Sequence, residues 1–298
     1  MRRRAIKTDG GKTDQIRNVV SAPVTGLPGV TFVTMYSPAL RRRADITLFV
    51  PPGEQNCALP LLILLHGVYG SHWNWAVLGN VPGIATEMMK VGSIGPIAIA
   101  MPSDGLWGDG SGYVVHRDLD AESWIMEGVP ASVRGVCPGL QAERLYLAGQ
   151  SMGGFGALRL GAKYAGRVGG ISAHSAVTCL ADLMPHVAQQ LKEYKAAGKR
   201  DTDLLHWMRR NQAQLSPIRF DCGTEDGLIN SNRALHKELI KLDISHSFEE
   251  HPGGHDWAYW QQHIRATLRF VSELAYGNAR RPQPSRFAPP ASTEYSAP

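Results

Sequence analysis

The chain has 298 residues and a mass of 32.5 kDa, with 43% hydrophobic and 19% charged residues. This length and composition allow a large buried core and exclude a mainly disordered chain. The net charge of +5 is concentrated at the termini, because residues 1–17 hold six basic and two acidic residues and residues 277–298 hold three basic and one acidic. The remainder has a net charge of −1, so no nucleic-acid partner is expected.

Both terminal segments have compositions that do not pack, since the first is polar and Gly-rich and the last is rich in Pro, Ser and Ala. We therefore predict a disordered N-terminal tail over residues 1–25 and a disordered Pro-rich tail over 277–298. No internal repeat or linker interrupts the chain between them. One folded domain over residues 26–276 is the expected organisation.

The four cysteines, Cys57, Cys137, Cys179 and Cys222, have no CxxC spacing, so neither a zinc site nor a disulfide framework is expected. The opening "MRRR" is not followed by the apolar region of a signal peptide. The sequence contains no run of about 18 apolar residues, the length that a membrane-spanning helix needs. We predict a cytoplasmic protein. The oligomeric state stays open, with a homodimer among the candidates.

Strand patterns of two kinds follow the N-terminal tail. Residues 31–37 and 44–53 alternate in hydrophobicity, which predicts an antiparallel pair with one face buried. The runs at 59–67, 95–103, 144–151, 168–175 and 217–226 are apolar on both faces, and a strand-like "HSFEEH" follows at 246–251. Continuously apolar strands separated by helices predict a mostly parallel sheet covered on both faces.

Helical patterns occupy the connections, at about residues 73–91, 118–134, 152–165, 230–242 and 256–275. The stretch 180–212 has helical composition but no strand partner, and we predict that it is a cap insertion over one edge of the sheet. The expected fold class is α/β. Ligands of such sheets bind at the carboxyl ends of the strands.

The sharpest motif is Gly149-Gln150-Ser151-Met152-Gly153, a GxSxG pattern between a predicted strand and a predicted helix. A tight turn there exposes the Ser151 hydroxyl at a helix N-terminus, whose free N–H groups favour developing negative charge. The pattern predicts a nucleophilic serine. The plainer interpretation is a Gly-rich turn with a capping serine.

A nucleophilic serine needs a histidine base and an orienting carboxylate. We predict His255 as the base, because it follows the last strand-like segment and precedes the last helix; His251 is the competitor. Asp226 in "GTEDGL" is the predicted acid because Gly227 lets the loop turn toward the histidine. Glu225 is the runner-up, and Asp256 is expected to cap the last helix.

A tetrahedral intermediate also needs two backbone donors for its oxyanion. We predict the N–H groups of Met152 and of Val68, which follows the turn His66-Gly67 after the third strand, with Tyr69 as the alternative donor. Substrate contacts are predicted for the side chains of Tyr69, Trp73, Trp75 and His174, although aromatic residues after such a turn often only pack.

Neither a GxGxxG fingerprint nor a Walker A sequence is present, and Asp104 and Asp109 lack the alternating ligand series of a calcium loop. No cofactor and no metal are expected.

Four ordered motifs, "LLHGVYGSHWNW", "AGQSMGGFGAL", "CGTEDGL" and "EEHPGGHDWAYW", resemble the esterase D-like branch of the α/β-hydrolases over about residues 30–275. That branch includes tributyrin-type and feruloyl esterases and S-formylglutathione hydrolases. The resemblance implies an α/β-hydrolase fold and a cofactor-free serine hydrolase of small carboxylic esters. Its nucleophile, acid and base would fall on Ser151, Asp226 and His255.

We predict a serine carboxylesterase for short-chain esters. The segment "MPSDGLWGDG" replaces the "MPNG" of many family members, and the "GLTC" of S-formylglutathione hydrolases is absent. Acyl transfer, or hydrolysis of S-formylglutathione or feruloyl esters, is the alternative on the same fold. A non-catalytic binding protein is the alternative from another class.

Overall fold

A computed structural model describes residues 19–55, 58–198 and 200–277. The described residues form a nine-stranded sheet in the order β1-β2-β3-β5-β4-β6-β7-β8-β9. Strands β5, β4, β6, β7, β8 and β9 are parallel to one another, and β1, β2 and β3 add an antiparallel edge. The strands are β1 Val19–Val20, β2 Val30–Ser37, β3 Arg42–Phe49, β4 Pro60–Leu65, β5 Ala98–Pro102, β6 Gln141–Gln150, β7 Val168–His174, β8 Ile218–Gly223 and β9 Ser247–His251.

Helices cover both faces of this sheet, and the predicted α/β class is confirmed. The π-helical turn Trp124–Gly128 joins the third helix to the fourth. The helices are α1 Asn74–Val77, α2 Val81–Lys90, α3 Ala121–Ser123, α4 Val129–Val136, α5 Met152–Lys163, α6 Leu180–Leu183, α7 Leu204–Arg210, α8 Ile229–Lys241 and α9 Trp257–Tyr276.

The central strands are buried on both faces because their apolar side chains alternate between two cores. In β4, Leu61, Ile63 and Leu65 pack into the core beneath α4 and α5. Leu62 and Leu64 pack into the core shared with α2 and α9. A strand between two helical layers needs apolar residues at every position, which explains the continuous apolar runs of the sequence.

Two predicted boundaries differ from the structure. Residues 19 and 20 belong to the segment predicted as a tail, but they pair with β2, and Val24 and Leu27 pack against the second core. Val19 and Val20 are β-branched residues, which favour strands. The rest of the predicted tails, residues 1–18 and 278–298, lies outside the described residues. The helix predicted over 73–91 is divided into α1 and α2, since Asn80 has a left-handed backbone (φ 46°).

The insertion predicted over 180–212 consists of α6, α7 and short 3₁₀ turns, and a buried ion cluster joins it to α5. Arg159 of α5 is fully buried and donates to Glu122 and Asp201, and the ammonium of Lys163 lies 2.6 Å from both carboxylates. Buried charges persist where opposite charges and hydrogen bonds compensate them. The cluster therefore fixes the insertion beside the sheet.

Within the described ranges, none of the helices is long and apolar enough to cross a membrane.

Candidate active site

Ser151 lies at a sharp turn between β6 and α5, where the strand ends and the helix begins. Its backbone is strained, with φ 55° and ψ −121°. Two glycines let the chain turn this tightly: a Cβ at Gly149 would lie 2.4 Å from the Gly153 carbonyl oxygen, and one at Gly153 would lie 2.3 Å from that of Leu65. The serine is thereby held at the carboxyl end of the central strands.

The hydroxyl of Ser151 lies 3.0 Å from Nε2 of His255, and Nδ1 of His255 lies 2.8 Å from the Asp226 carboxylate. Ser151 follows β6, Asp226 follows β8 and His255 follows β9, so the three side chains meet at the edge of the sheet where these parallel strands end. With Nδ1–H donating to Asp226, Nε2 can accept the serine proton. The arrangement can deprotonate a serine hydroxyl.

Asp226 is buried and held by several donors. Burial by itself raises the pKa of Asp226, but the hydrogen bond and charge of His255, the Leu228 N–H (2.8 Å) and the Ser175 hydroxyl together bring it below its ordinary value. The carboxylate therefore stays charged at neutral pH. Glu225, the runner-up for the acid, is exposed, and its N–H donates to the Gly253 carbonyl.

The remaining acidic and histidine candidates lie outside this hydrogen-bonded chain. Asp256 caps α9 by accepting from the Tyr259 N–H, as predicted. His251 ends β9, where it stacks on His263 at 4.3 Å.

Two backbone N–H groups flank the serine in the positions predicted for oxyanion donors. Met152 is the first residue of α5, and neither its N–H nor that of Val68 is hydrogen bonded within the described part of the chain. The N–H of Tyr69, the alternative donor, is engaged, since it donates to the Asp109 carbonyl at 2.9 Å. Of the candidate loop donors, Val68 is therefore the free one.

The serine opens into a cavity of about 810 Å³. Its lining comes from the loop after β4, the start of α9, the start of the 180–212 insertion and the start of α8. The lining residues are Gly67, Val68, Tyr69, Asn74, Gln150, Ser151, Ala181, Asp182, Pro185, His186, Asp226, Gly227, Leu228, Ser231, His255, Asp256, Trp257 and Trp260. Tyr69, for which a substrate contact is predicted, lines the cavity, and its hydroxyl donates to the carbonyl of His186 in the insertion.

Three residues predicted to contact substrate lie away from the cavity. Trp75 is 1% exposed, and its indole donates to the Leu65 carbonyl at 2.9 Å, so it packs in the core. Trp73 is 42% exposed and is not among the residues that line the cavity. His174 is fully buried, 2.9 Å from Asp221 and 2.8 Å from Thr267, and it supports the sheet from within.

The aromatic lining comes instead from Trp257 and Trp260 of α9, which were not among the predicted site residues. Trp260 stands edge-on to the ring of His255 at 5.0 Å, and Trp257 packs edge-on against Trp75 at 5.3 Å. The signal was present, because the two tryptophans are three residues apart at the start of the helix that follows His255. This spacing puts both on one helical face.

Comparison with known proteins agrees with this fold. A curated acetyl esterase of Caldicellulosiruptor saccharolyticus is 26% identical over 277 residues, covering 82% of this chain and 98% of the relative. An S-formylglutathione hydrolase structure from Agrobacterium tumefaciens has a TM-score of 0.71 at 17% identity, covering 85% of this chain and 98% of that one. A ferulic acid esterase structure has a TM-score of 0.71 at 21% identity, covering 87% and 98%.

The family itself is shown by a sequence model that matches most of the chain. The model described as "Putative esterase" matches residues 37–271, which run from the end of β2 into α9. The matched region includes the strained serine, the histidine and carboxylate beside it and the whole parallel part of the sheet. The chain therefore belongs to this esterase family and is a carboxylic ester hydrolase with the α/β-hydrolase fold.

Proposed function

We propose that the chain is a serine carboxylesterase that hydrolyses short-chain esters through an acyl-enzyme on Ser151. The observation that carries the proposal is the continuous hydrogen-bonded chain from Asp226 through His255 to the hydroxyl of Ser151, with distances of 2.8 and 3.0 Å. The acetyl esterase among the relatives supports a short acyl group.

In the proposed first step, Nε2 of His255 takes the proton of Ser151 as Oγ bonds to the ester carbonyl carbon. The carbonyl oxygen becomes an oxyanion, which accepts hydrogen bonds from the N–H groups of Val68 and Met152. The intermediate then collapses: the carbon–oxygen bond to the alcohol breaks, and His255 gives its proton to the leaving alkoxide. Asp226 stabilises the imidazolium and fixes its tautomer.

Water completes the cycle by the same chemistry. His255 removes a proton from water as its oxygen attacks the acyl-enzyme, and the proton returns to Ser151 when the carboxylic acid leaves. The donors to the oxyanion serve both steps. The products are one alcohol and one carboxylic acid per ester.

The test uses a fluorophosphonate probe together with p-nitrophenyl acetate. We expect the wild-type protein to be labelled covalently and to release p-nitrophenol, and Ser151→Ala to lose both activities because the reacting oxygen is gone. Labelling that persists in Ser151→Ala would move the nucleophile elsewhere, and a folded wild-type protein without labelling or hydrolysis would refute the proposal.

We also propose a cytoplasmic location. Cys137 and Cys222 are buried free thiols, which suit a reducing compartment. Cell fractionation with an antibody against the native protein tests this, and recovery with the secreted fraction would contradict it.

A further inference from the structure

Gln150, the residue before the nucleophile, is a buried amide whose hydrogen-bonding capacity is unused. It ends β6, is 3% exposed and lines the cavity around Ser151. Its Oε1 is enclosed by protein atoms and has no hydrogen-bond partner in the described part of the chain, whereas its Nε2, which has no partner there either, is not among the enclosed atoms and is the one that a ligand in the cavity can reach. Buried amides without partners are costly, so native proteins keep them mainly where a ligand or a function uses them.

The amide lies close to the reacting atoms. A Cβ placed on Gly67 would lie 3.0 Å from Gln150 Nε2 and 3.2 Å from Ser151 Cβ. Gly67 directly precedes Val68, one of the two proposed oxyanion donors. The amide is therefore next to the position that the ester carbonyl occupies in the proposed reaction.

Other polar side chains of the cavity are already engaged. Asp182 accepts from the Thr178 N–H at 3.0 Å and from the Ser231 hydroxyl at 2.9 Å. Asn74 Oδ1 accepts from the Ser71 N–H at 2.7 Å.

Within the residues that the structure describes, three enclosed side-chain atoms are unpaired: His66 Nε2, Asn232 Oδ1 and Gln150 Oε1. Of these three residues, Gln150 is the one that lines the cavity.

The charge of the cavity restricts the kind of chemical group that this amide can bind. Asp182, Asp226 and Asp256 line the cavity, whereas no lysine or arginine of the described chain does. An anionic substituent would be repelled by these carboxylates. A hydroxyl is neutral, and its oxygen can accept a hydrogen bond from the amide nitrogen.

We propose that Gln150 is a specificity-determining residue that hydrogen bonds a hydroxyl group of the substrate, on the acyl chain or on the alcohol, close to the ester carbonyl. The proposal rests on the esterase function proposed above and names the class of ester that the site prefers. A site with a buried amide discriminates strongly against an analogue without the hydroxyl, because the amide is then left unpaired.

The experiment measures kcat/KM for two matched pairs of esters in a pH-stat. Ethyl hydroxyacetate against ethyl acetate tests an acyl hydroxyl, and 2-hydroxyethyl acetate against propyl acetate tests an alcohol hydroxyl. Each enzymatic ratio is divided by the ratio of hydroxide-catalysed rates of the same two esters, which removes their difference in intrinsic reactivity. We expect the corrected ratio of the wild-type protein to reach about tenfold or more in one pair.

Two variants, Gln150→Met and Gln150→Leu, remove the amide while keeping a side chain of similar length or volume. We expect the corrected ratio to fall to about 1 in both variants, whereas the control Gln141→Met, which changes an exposed glutamine at the start of the same strand outside the cavity, keeps the wild-type ratio. The ratio separates a specificity role from a structural one. If Gln150 only supported the structure, its replacement would lower kcat/KM for both esters of a pair equally and leave their ratio unchanged.

A corrected wild-type ratio of about 1 in both pairs would overturn the proposal, as would Gln150 variants that keep a raised ratio. The wild-type measurement needs no variant to fold. Failure of the underlying esterase function has a different signature: none of the four esters is cleaved and the fluorophosphonate does not label Ser151.

Discussion

Asp226 and Glu225 are adjacent carboxylates in the loop after β8, and Asp226 is the one that contacts the histidine. We predict that Asp226→Asn lowers kcat by about 10⁴-fold, because an amide in that place favours the wrong imidazole tautomer. Glu225→Gln, the matched control, changes an exposed side chain, and its effect should stay within about twofold. Kinetics at neutral pH measure both, and the reverse ranking would assign the acid to Glu225.

Ser151 and His255 should behave as one functional unit. We predict that Ser151→Ala and His255→Ala each lower kcat by about 10⁴-fold or more, and that the double variant is little slower than either. The reason is that both residues act in one step: His255 contributes to catalysis only by deprotonating the Ser151 hydroxyl. Single-turnover kinetics on p-nitrophenyl acetate measure all three variants; one single variant with a tenth of wild-type turnover would contradict the assignment.

At the scale of single residues, the sequence predicts what local chain geometry determines. The GxSxG turn positions Ser151 through its own backbone, and the order of strands carries Asp226 and His255 to the same edge. Which tryptophan faces the cavity depends on tertiary packing. Trp75 turns inward because the Leu65 carbonyl accepts its indole hydrogen, and Trp257 of α9 takes the place expected for it.

Helix α5 illustrates how one element constrains the site, because its first turn passes very close to β4. A Cβ on Gly153 would lie 2.3 Å from the Leu65 carbonyl oxygen and 2.6 Å from that of His66. We predict that Gly153→Ala destabilises the protein by about 1–3 kcal/mol through overpacking, and that it lowers kcat by displacing Ser151. Chemical denaturation and ester hydrolysis measure the two effects.

Gly135 in α4 provides the matched control for that substitution. A Cβ there meets no atom within 4 Å, so Gly135→Ala should gain helix propensity and stabilise the protein by up to about 1 kcal/mol. If Gly153→Ala and Gly135→Ala changed the free energy of unfolding equally, the close approach to β4 would not be the reason why position 153 needs a glycine.

Elements were predictable where the hydrophobic period was long and uninterrupted. The buried strands and α5, α8 and α9 agree with their predicted positions within a few residues. The break between α1 and α2 was missed although Gly79, Asn80 and Pro82 mark a helix boundary in the sequence; Asn80 has a left-handed backbone, and Pro82 lies in the first turn of α2. The short helices of the 180–212 insertion depend on contacts such as Arg159 with Asp201, which are far apart in the sequence.

At the scale of the whole molecule, a buried polar network joins β7, β8 and α9 beneath the site. Asp221 lies 2.9 Å from His174 and 2.7 Å from Arg219, and Tyr259 donates to it at 3.0 Å. Burial by itself raises the pKa of Asp221, but His174 and Arg219 outweigh it and hold that pKa well below the ordinary 3.8. The His174 carbonyl accepts the Ser151 N–H at 3.0 Å, so the network also supports the serine turn.

We predict that Asp221→Asn lowers the free energy of unfolding by about 3–5 kcal/mol at pH 7, because His174 and Arg219 lose a buried partner. Since the folded pKa of Asp221 is depressed, its stabilisation is complete above about pH 4 and is lost as the pH falls toward the folded pKa. The difference between wild type and variant should therefore shrink in acid.

Urea denaturation at pH 7 and at pH 3 measures the effect of Asp221→Asn. Glu249→Gln is the control, because Glu249 pairs with the same Arg219 at 3.2 Å but is 52% exposed. Its effect should stay below about 1 kcal/mol. A loss for Asp221→Asn that is equally small would mean that the network contributes little to stability.

The last prediction concerns acyl-chain preference, which depends on the whole enclosure rather than on one residue. The apolar lining of the cavity includes Trp257 and Trp260 of α9, Pro185 of the insertion and Leu228 before α8. Each methylene that fits contributes about 1–3 kcal/mol, whereas overpacking against a rigid wall costs a similar amount. We therefore expect kcat/KM for p-nitrophenyl esters to be highest at acetyl to butyryl and to fall by one to two decades for longer chains.

Trp257→Ala should move the optimum to longer chains, and Trp73→Ala, which changes an exposed tryptophan outside the cavity, should not. An optimum at dodecanoyl or beyond in the wild-type protein would mean that the acyl group leaves the cavity along an open groove. The residues that line the cavity would then not determine the preferred acyl-chain length.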